Sequence, residues 1–282
     1  MKQVLCVAAM LVLIGPAISA AADEPPGVVL LEARTAPVGT PDAVERKVSQ
    51  RISYGHEGFK VRRGANGPAE THADHSHSLV VQSGRGTVVL GGRVVDRDGR
   101  AASPNAAGTS LRDGTEYALS TGAVMFIPAN TNHQWLVADG DELTYVVVNL
   151  PPDTAAAAVA YYPAATVPDG PRDPVERKVT KAAGYGERSG YVVQRGAASK
   201  AEAHDDHGHA MVVMRGEGTV ILGGMIVDGN GDPAAANVVG TSIVNGVEYT
   251  LKAGDALYFP AKTNHQYVGT PDAPFIYFTL NE

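Results

Sequence analysis

The chain of 282 residues has a single cysteine, Cys6, near its very start. Without further thiols it has no disulfide framework and no thiolate to offer a metal. Basic residues are in the minority, 23 Lys and Arg against 30 Asp and Glu, and no basic patch stands out. Nucleic acid and anionic membrane surfaces are therefore poor partners. Long apolar runs are lacking too: Val4–Ile14 is eleven residues long, too short to cross a bilayer. Lys2 precedes that run, Gly15-Pro16 breaks it and Ala20-Ala21-Ala22 follow, the layout of a cleaved secretory signal peptide over residues 1–22. The expectation is export, to the periplasm or the cell exterior, with no membrane anchor. Cys6 leaves with the leader. Long amphipathic helical patterns are missing as well, while 32 glycines and 18 prolines supply turns.

What is present is written twice. "VVQSGRGTVVLGGRVVD" (Val80–Asp96) matches "VVMRGEGTVILGGMIVD" (Val212–Asp228), and "GTSLRDGTEYALSTGAVMFIPANTNHQW" (Gly108–Trp135) matches "GTSIVNGVEYTLKAGDALYFPAKTNHQY" (Gly240–Tyr267). The offset stays at 132 positions from Gly64 through Trp135. Two copies this long mean duplicated domains, over 41–150 and 175–282. The Ala- and Pro-rich segment 151–174 reads as a linker or crossover arm. Within each copy, short β-branched and aromatic runs such as "SLVVQ", "VMFIP" and "LTYVVVNL" alternate with Gly, Asp and Asn turns. The predicted fold class is all-β, with each half a small antiparallel barrel or jelly roll.

Histidine is the one chemically active residue type that gathers. "ETHADHSHSLV" (Glu70–Val80) and "EAHDDHGHAMV" (Glu202–Val212) align, and eight of the nine histidines recur between copies, His56 alone excepted. The glycine, proline and histidine framework resembles the cupin superfamily, whose small β-barrels carry Gly-x5-His-x-His-x3,4-Glu-x6-Gly and Gly-x5-Pro-x-Gly-x2-His. The second pattern lies at Gly122, Pro128 and His133, and again at Gly254, Pro260 and His265, with Asn130 and Lys262 in place of its inner glycine. For the first, pairing His75 with His77 would put Gln82 and Met214 where a glutamate belongs and leave the flanking glycines unmatched. The spacing Gly64-x5-Glu70-x-His72-x4-His77-x6-Gly84 fits, as does Gly196-x5-Glu202-x-His204-x4-His209-x6-Gly216.

The resemblance implies two tandem cupin-type barrels, a bicupin, with one metal ion in each. Its ligands would be Glu70, His72, His77 and His133 in one half and Glu202, His204, His209 and His265 in the other. Glutamate and histidine exchange places relative to the family pattern, yet the set remains three imidazoles and a carboxylate. Such a set suits a first-row divalent ion, with Fe, Mn, Zn, Ni and Cu all admissible. His75 and His207 are read as neighbours, either orienting a ligand imidazole or standing in exposed turns. Trp135 and Tyr267 lie two beyond the last histidine and are either a pocket wall or ordinary core. Ala123 against Asp255 and Trp135 against Tyr267 predict that the halves differ in affinity or reactivity.

Cupins include dioxygenases, decarboxylases, isomerases, sensors and storage proteins, so the resemblance does not choose a chemistry. The leading expectation is a metal-dependent enzyme acting on a small oxygenated organic molecule, with no catalytic residue assigned beyond the ligands. The competing one is a metal- or small-ligand-binding protein without turnover. A small-molecule partner is common to both, and assembly into a homo-oligomer stays open. The inserts Arg97–Gly108 and Gly229–Gly240 are candidate gates.

Overall fold

The structure, a computed structural model, describes residues 24–33, 46–51, 57–96, 105–152, 158–164, 176–182, 188–230, 237–270 and 275–281. The expected leader at 1–22, most of the first candidate gate and half of the second fall outside these residues. In chain order the first half runs β1 (Val29–Leu31), β2 (Arg46–Arg51), β3 (Glu57–Arg63), β4 (Ala69–Thr71), β5 (Ser76–Leu90), β6 (Arg93–Val95), β7 (Ala106–Gly108), β8 (Ser110–Arg112), β9 (Thr115–Ser120), β10 (Val124–Ile127), β11 (His133–Leu136) and β12 (Leu143–Leu150). The second runs β13 (Ala160–Tyr162), β14 (Glu176–Ala182), β15 (Ser189–Arg195), β16 (Ala201–His204), β17 (His209–Leu222), β18 (Met225–Val227), β19 (Asn237–Gly240), β20 (Ser242–Val244), β21 (Val247–Lys252), β22 (Ala256–Phe259), β23 (His265–Val268) and β24 (Phe275–Asn281). No α-helix occurs among the described residues, and none of their segments is a helix long and apolar enough to cross a membrane.

Each half is one rolled antiparallel sheet. In the first, the order is β2-β3-β12-β5-β11-β4-β7, with β9 and β10 also on β5. The second repeats it as β14-β15-β24-β17-β23-β16-β19. The long strand β5 makes the roll possible: its first part pairs with β12 and β10, its second with β11 and β9. It must bend between these two jobs, and it does so at Gly84. That residue has φ +82°, and a Cβ there would lie 1.9 Å from the Glu142 carbonyl oxygen. Gly216 repeats the positive φ in β17.

The central strands are buried on both faces. Leu79 and Val81 of β5, Tyr145 and Val147 of β12 and Met125 and Ile127 of β10 point into the first barrel. Their neighbours Val80, Val146, Val148, Val124 and Phe126 point out, against Val212, Tyr258, Ile276, Phe278 and Leu280 of the second half. Side chains alternate along a strand, so a near-continuous apolar run serves two cores at once. Among the described residues the inter-barrel cluster holds sixteen buried ones, more than either barrel interior. At about 1.5–3 kcal/mol per fully buried aliphatic side chain, that interface ranks with the barrels' own cores as a source of stability.

The segment leading into each barrel is donated to the other. β1 pairs with β22, and β13, inside the predicted linker, pairs with β10. Asp255 holds the first arm: its carboxylate accepts from the backbone N–H of Ala33 and of Lys252. The buried Lys60 ammonium donates to the Glu32 and Gly254 carbonyls at 2.6 and 2.7 Å, tying β3 to the arm and the opposite barrel. Burial pushes its pKa down to about 8 against the opposing pull of Asp255. Asp255, one of the differences between the halves, thus clamps the arm.

Gly91 separates two costs that Gly84 combines. Its φ is +77°, yet nothing lies within 4 Å of a Cβ placed there. Gly91→Ala should therefore cost only the left-handed backbone penalty, about 1 kcal/mol, whereas Gly84→Ala adds a backbone collision and should cost about 3 kcal/mol or more. Urea unfolding midpoints of the two variants check the difference.

Candidate metal centre

Three places on the sheet bring the donors together. Glu70 sits in β4 directly across from His133, which opens β11. His72 follows the end of β4, and after a short turn His77 enters β5. Glu202 faces His265 across β16 and β23 in the same way. The turn before each last histidine needs a left-handed residue: Asn130 has φ +63° and Lys262 φ +65°, at the position where the family pattern has glycine. Asparagine tolerates that conformation better than lysine does. Both turns are pinned by a backbone bond, Asn130 N–H to the His72 carbonyl and Lys262 N–H to that of His204, at 2.6 Å.

In the first barrel the His72, His77 and His133 rings lie 5.1–5.2 Å apart, centre to centre. Donor atoms of Glu70, His72 and His133 fall within 4.8 Å of one another. His77 donates from Nδ1 to Asn149 Oδ1 at 2.9 Å, and His133 from Nδ1 to the Thr131 carbonyl at 3.0 Å. Because these acceptors require the proton on Nδ1, each Nε2 keeps its lone pair. All four residues line one cavity of 260 Å³, together with Phe59, Val61, Arg63, Trp135, Tyr145 and Val147.

The second barrel repeats the donor arrangement. His204, His209 and His265 bring donor atoms within 4.8 Å of one another, and a Glu202 oxygen lies 3.8 Å from His204 Nε2. His265 donates from Nδ1 to the Thr263 carbonyl at 3.0 Å, and its Nε2 is buried without a hydrogen-bond partner, as a neutral imidazole facing a cation would be; both ring nitrogens of His209 are buried without one. Phe259 packs against both rings at 4.9 and 5.0 Å, where the first barrel has the smaller Ile127.

The neighbours take up defined places. His75 stacks on His72 at 4.4 Å and lies 4.9 Å from His77, close enough to form a trio of donors with them. Its Nδ1 donates to Asp74 at 2.7 Å; His207 does the same with Asp206 and stacks on His204 at 4.4 Å. Trp135 lines the cavity and stacks on Tyr145 at 4.7 Å, and Tyr267 stacks on Tyr277 at 5.3 Å. Trp135 is pocket wall and core together, and Tyr267 belongs to the core of the second barrel. Sequence reasoning overlooked Asn149, Asn237, Arg63 and Arg195. Asn237 accepts from His204 Nδ1 at 2.6 Å, and Arg63 and Arg195 are buried beside Trp135 and Tyr267. The signal was available: Arg63 and Arg195 each precede the opening glycine of the first pattern, and Asn149 recurs as Asn281.

A model of the cupin domain matches residues 239–281. A search by sequence among curated proteins finds no match. Among solved structures, the oxalate decarboxylase of Lactobacillus farciminis in complex with formate is similar at TM-score 0.54 and 10% identity, over 89% of this chain and 85% of that one. A protein of Pseudomonas aeruginosa described as glyoxylate-induced reaches TM-score 0.58 at 13% identity, over 94% and 92%. A cupin 2 conserved barrel domain protein of Leptotrichia buccalis reaches 0.54 at 11%, over 89% and 95%. The fold is that of the cupins. The chain carries it twice, as a bicupin.

Within the two cupin barrels, His77, His133, His209 and His265 are held toward the neutral form. Burial first, then His133 and His72, lowers the His77 pKa well below its ordinary value, and burial lowers His133 to about 4. Burial and His265 likewise lower His209, and His265 itself falls to about 3. In the unfolded chain these groups take up protons near pH 6.5. Between about pH 6.5 and 4 the unfolded state therefore binds more protons, and stability must fall as pH falls. Metal-free protein should lose urea resistance steadily from pH 7 to pH 5, and a His133→Gln/His265→Gln variant should show a shallower slope.

Proposed function

We propose that this is an exported metal-dependent enzyme that acts in its N-terminal barrel on a small oxygenated organic molecule. The observation that carries the reading is the convergence of Glu70, His72, His77 and His133 on a cavity of 260 Å³ whose lining is part polar and part apolar. The donors suit a first-row divalent ion, since buried neutral imidazoles and one carboxylate supply lone pairs and partial charge balance. Fe, Mn, Zn, Ni and Cu all remain within that chemistry. Bound there, such an ion would polarise a substrate oxygen or activate O2. The chain does the rest. Asn149 and the Thr131 carbonyl fix the orientation of His77 and His133, while Phe59, Val61 and Val147 keep bulk water from the bound molecule. Oxygenase, decarboxylase and isomerase chemistry share these requirements. The leader over 1–22 supports export.

Phe259 favours a second reading for the other half. Filled beside His209 and His265, the C-terminal barrel suits a closed metal site that binds without turnover.

Elemental analysis of the purified protein should find close to two first-row divalent ions per chain, and their absence even after reconstitution would remove the metal reading. Glu70→Gln should strip the N-terminal site, whereas His75→Ala, losing only a neighbour, should weaken it by about 10–100-fold at most. The reverse pattern would make the centre His75, His77 and His133, with no carboxylate.

A further inference from the structure

Five donors line the N-terminal cavity, Glu70, His72, His75, His77 and His133, one more than the four-ligand centre uses. They form two groups whose donor atoms each lie within 4.8 Å of one another: Glu70, His72 and His133, and then His72, His75 and His77. His72 belongs to both. The groups differ in depth. His133 is 2% exposed, whereas the His75 side chain is 21% exposed and that of Asp74, beside it, 56%. The all-histidine group is the one nearer solvent.

The turn that carries His75 holds it in place. The Asp74 carboxylate accepts from His75 Nδ1 at 2.7 Å and from the Asn105 amide at 3.2 Å, and Asn105 Oδ1 accepts from the Ala73 N–H at 3.3 Å. The proton kept on Nδ1 leaves the His75 lone pair on Nε2, and His77, bonded through Nδ1 to Asn149, is set the same way. The His75 ring stacks on His72 at 4.4 Å and meets His77 edge-on at 4.9 Å. Asp74 adds a negative charge where solvent reaches, which raises the local concentration of cations.

A buried metal site needs an entry path. An ion that shed its waters before gaining buried ligands would face a large desolvation barrier. Exchange one ligand at a time lowers that barrier, and two donor groups sharing His72 permit it.

We propose that His72, His75 and His77 form an entry site for a first-row divalent ion, and that His75 is a transit ligand which hands the ion on to Glu70 and His133. This rests on the metal-dependent reading above. In the transfer the bond to His75 breaks as those to Glu70 and His133 form, while His72 and His77 keep theirs; no electron moves. Asp74 is a positioning residue, holding the His75 ring and drawing cations toward it.

Trp135 is the only tryptophan of the chain and lines this cavity, while Tyr267 takes its place in the other barrel. Quenching of its fluorescence by Co2+ therefore reports on the N-terminal site. Stopped-flow mixing of metal-stripped, full-length protein with Co2+ gives the rate of entry. Mixing the loaded protein with excess EDTA gives the rate of release, and equilibrium titration gives the affinity. His75→Ala should slow entry and release together, each about tenfold or more, and so change the affinity much less than either rate. Asp74→Asn should slow entry and flatten its dependence on salt, while His207→Ala should leave the Trp135 signal unchanged. His75→Gln, which keeps a polar side chain in the turn but removes the imidazole, decides the matter should His75→Ala fail to fold. Unaltered rates in the His75 variants would overturn the proposal, as would faster release with unaltered entry, the mark of a residue that only supports His72. Loss of Co2+ binding altogether in those variants would overturn it too, by making His75 a permanent ligand. A wild-type protein that binds no first-row ion after reconstitution overturns the metal reading and this proposal together, whereas intact binding with indifferent rates overturns this proposal alone.

Discussion

The two-sided burial of β5 and β17 is the constraint on which the rest depends. Over Leu79–Val81 and Met211–Val213 the strand has core on both faces and no polar side, so each position there answers to one barrel interior or to the interface. A slip of one residue would exchange the two sets completely. The same strands carry His77 and His209 at their beginnings, so the register that seats Leu79 and Val81 inside the first barrel also sets where His77 stands. Packing and site geometry are therefore one requirement.

The site then sets its own electrostatics. Closely spaced imidazoles cannot all take protons in a space removed from water, and burial is the leading cause of every lowered histidine value there. The same neutrality leaves lone pairs for a cation. The two barrels use nearly the same donors but differ in what fills the remaining space, Ile127 in one and Phe259 in the other. Duplication supplied two similar centres, and the bulk of Phe259 against Ile127 is one of the differences beside the histidines.

Much of this was legible in the sequence because the informative residues were backbone residues. Gly84 and Gly216 need positive φ, and Gly84 also meets a neighbouring carbonyl, so their spacing carried three-dimensional information. It led to Glu70 and His72, which the fold sets beside His133 and His77. His75 was harder: it is a neighbour by spacing, and the fold nonetheless stacks it on His72. Arg63 went unseen because one arginine before a glycine reads as surface until its burial is known. The apolar runs announced strands but not the inter-barrel core, since a strand buried twice reads like any strongly hydrophobic one. β1 and β13 are three residues each, too short for periodicity to show.

Those two short strands bear on how the protein is made. The N-terminal barrel leaves the ribosome without β13, which arrives only after its own last strand, β12, has been synthesised. β1, made before either barrel, waits for β22, one of the last strands of the chain. Neither barrel can complete its sheet in isolation, and the earliest pairing partner must stay free while more than two hundred residues follow it. The finished protein is thus closed like interlaced fingers, each barrel holding a strand from the other's approach segment.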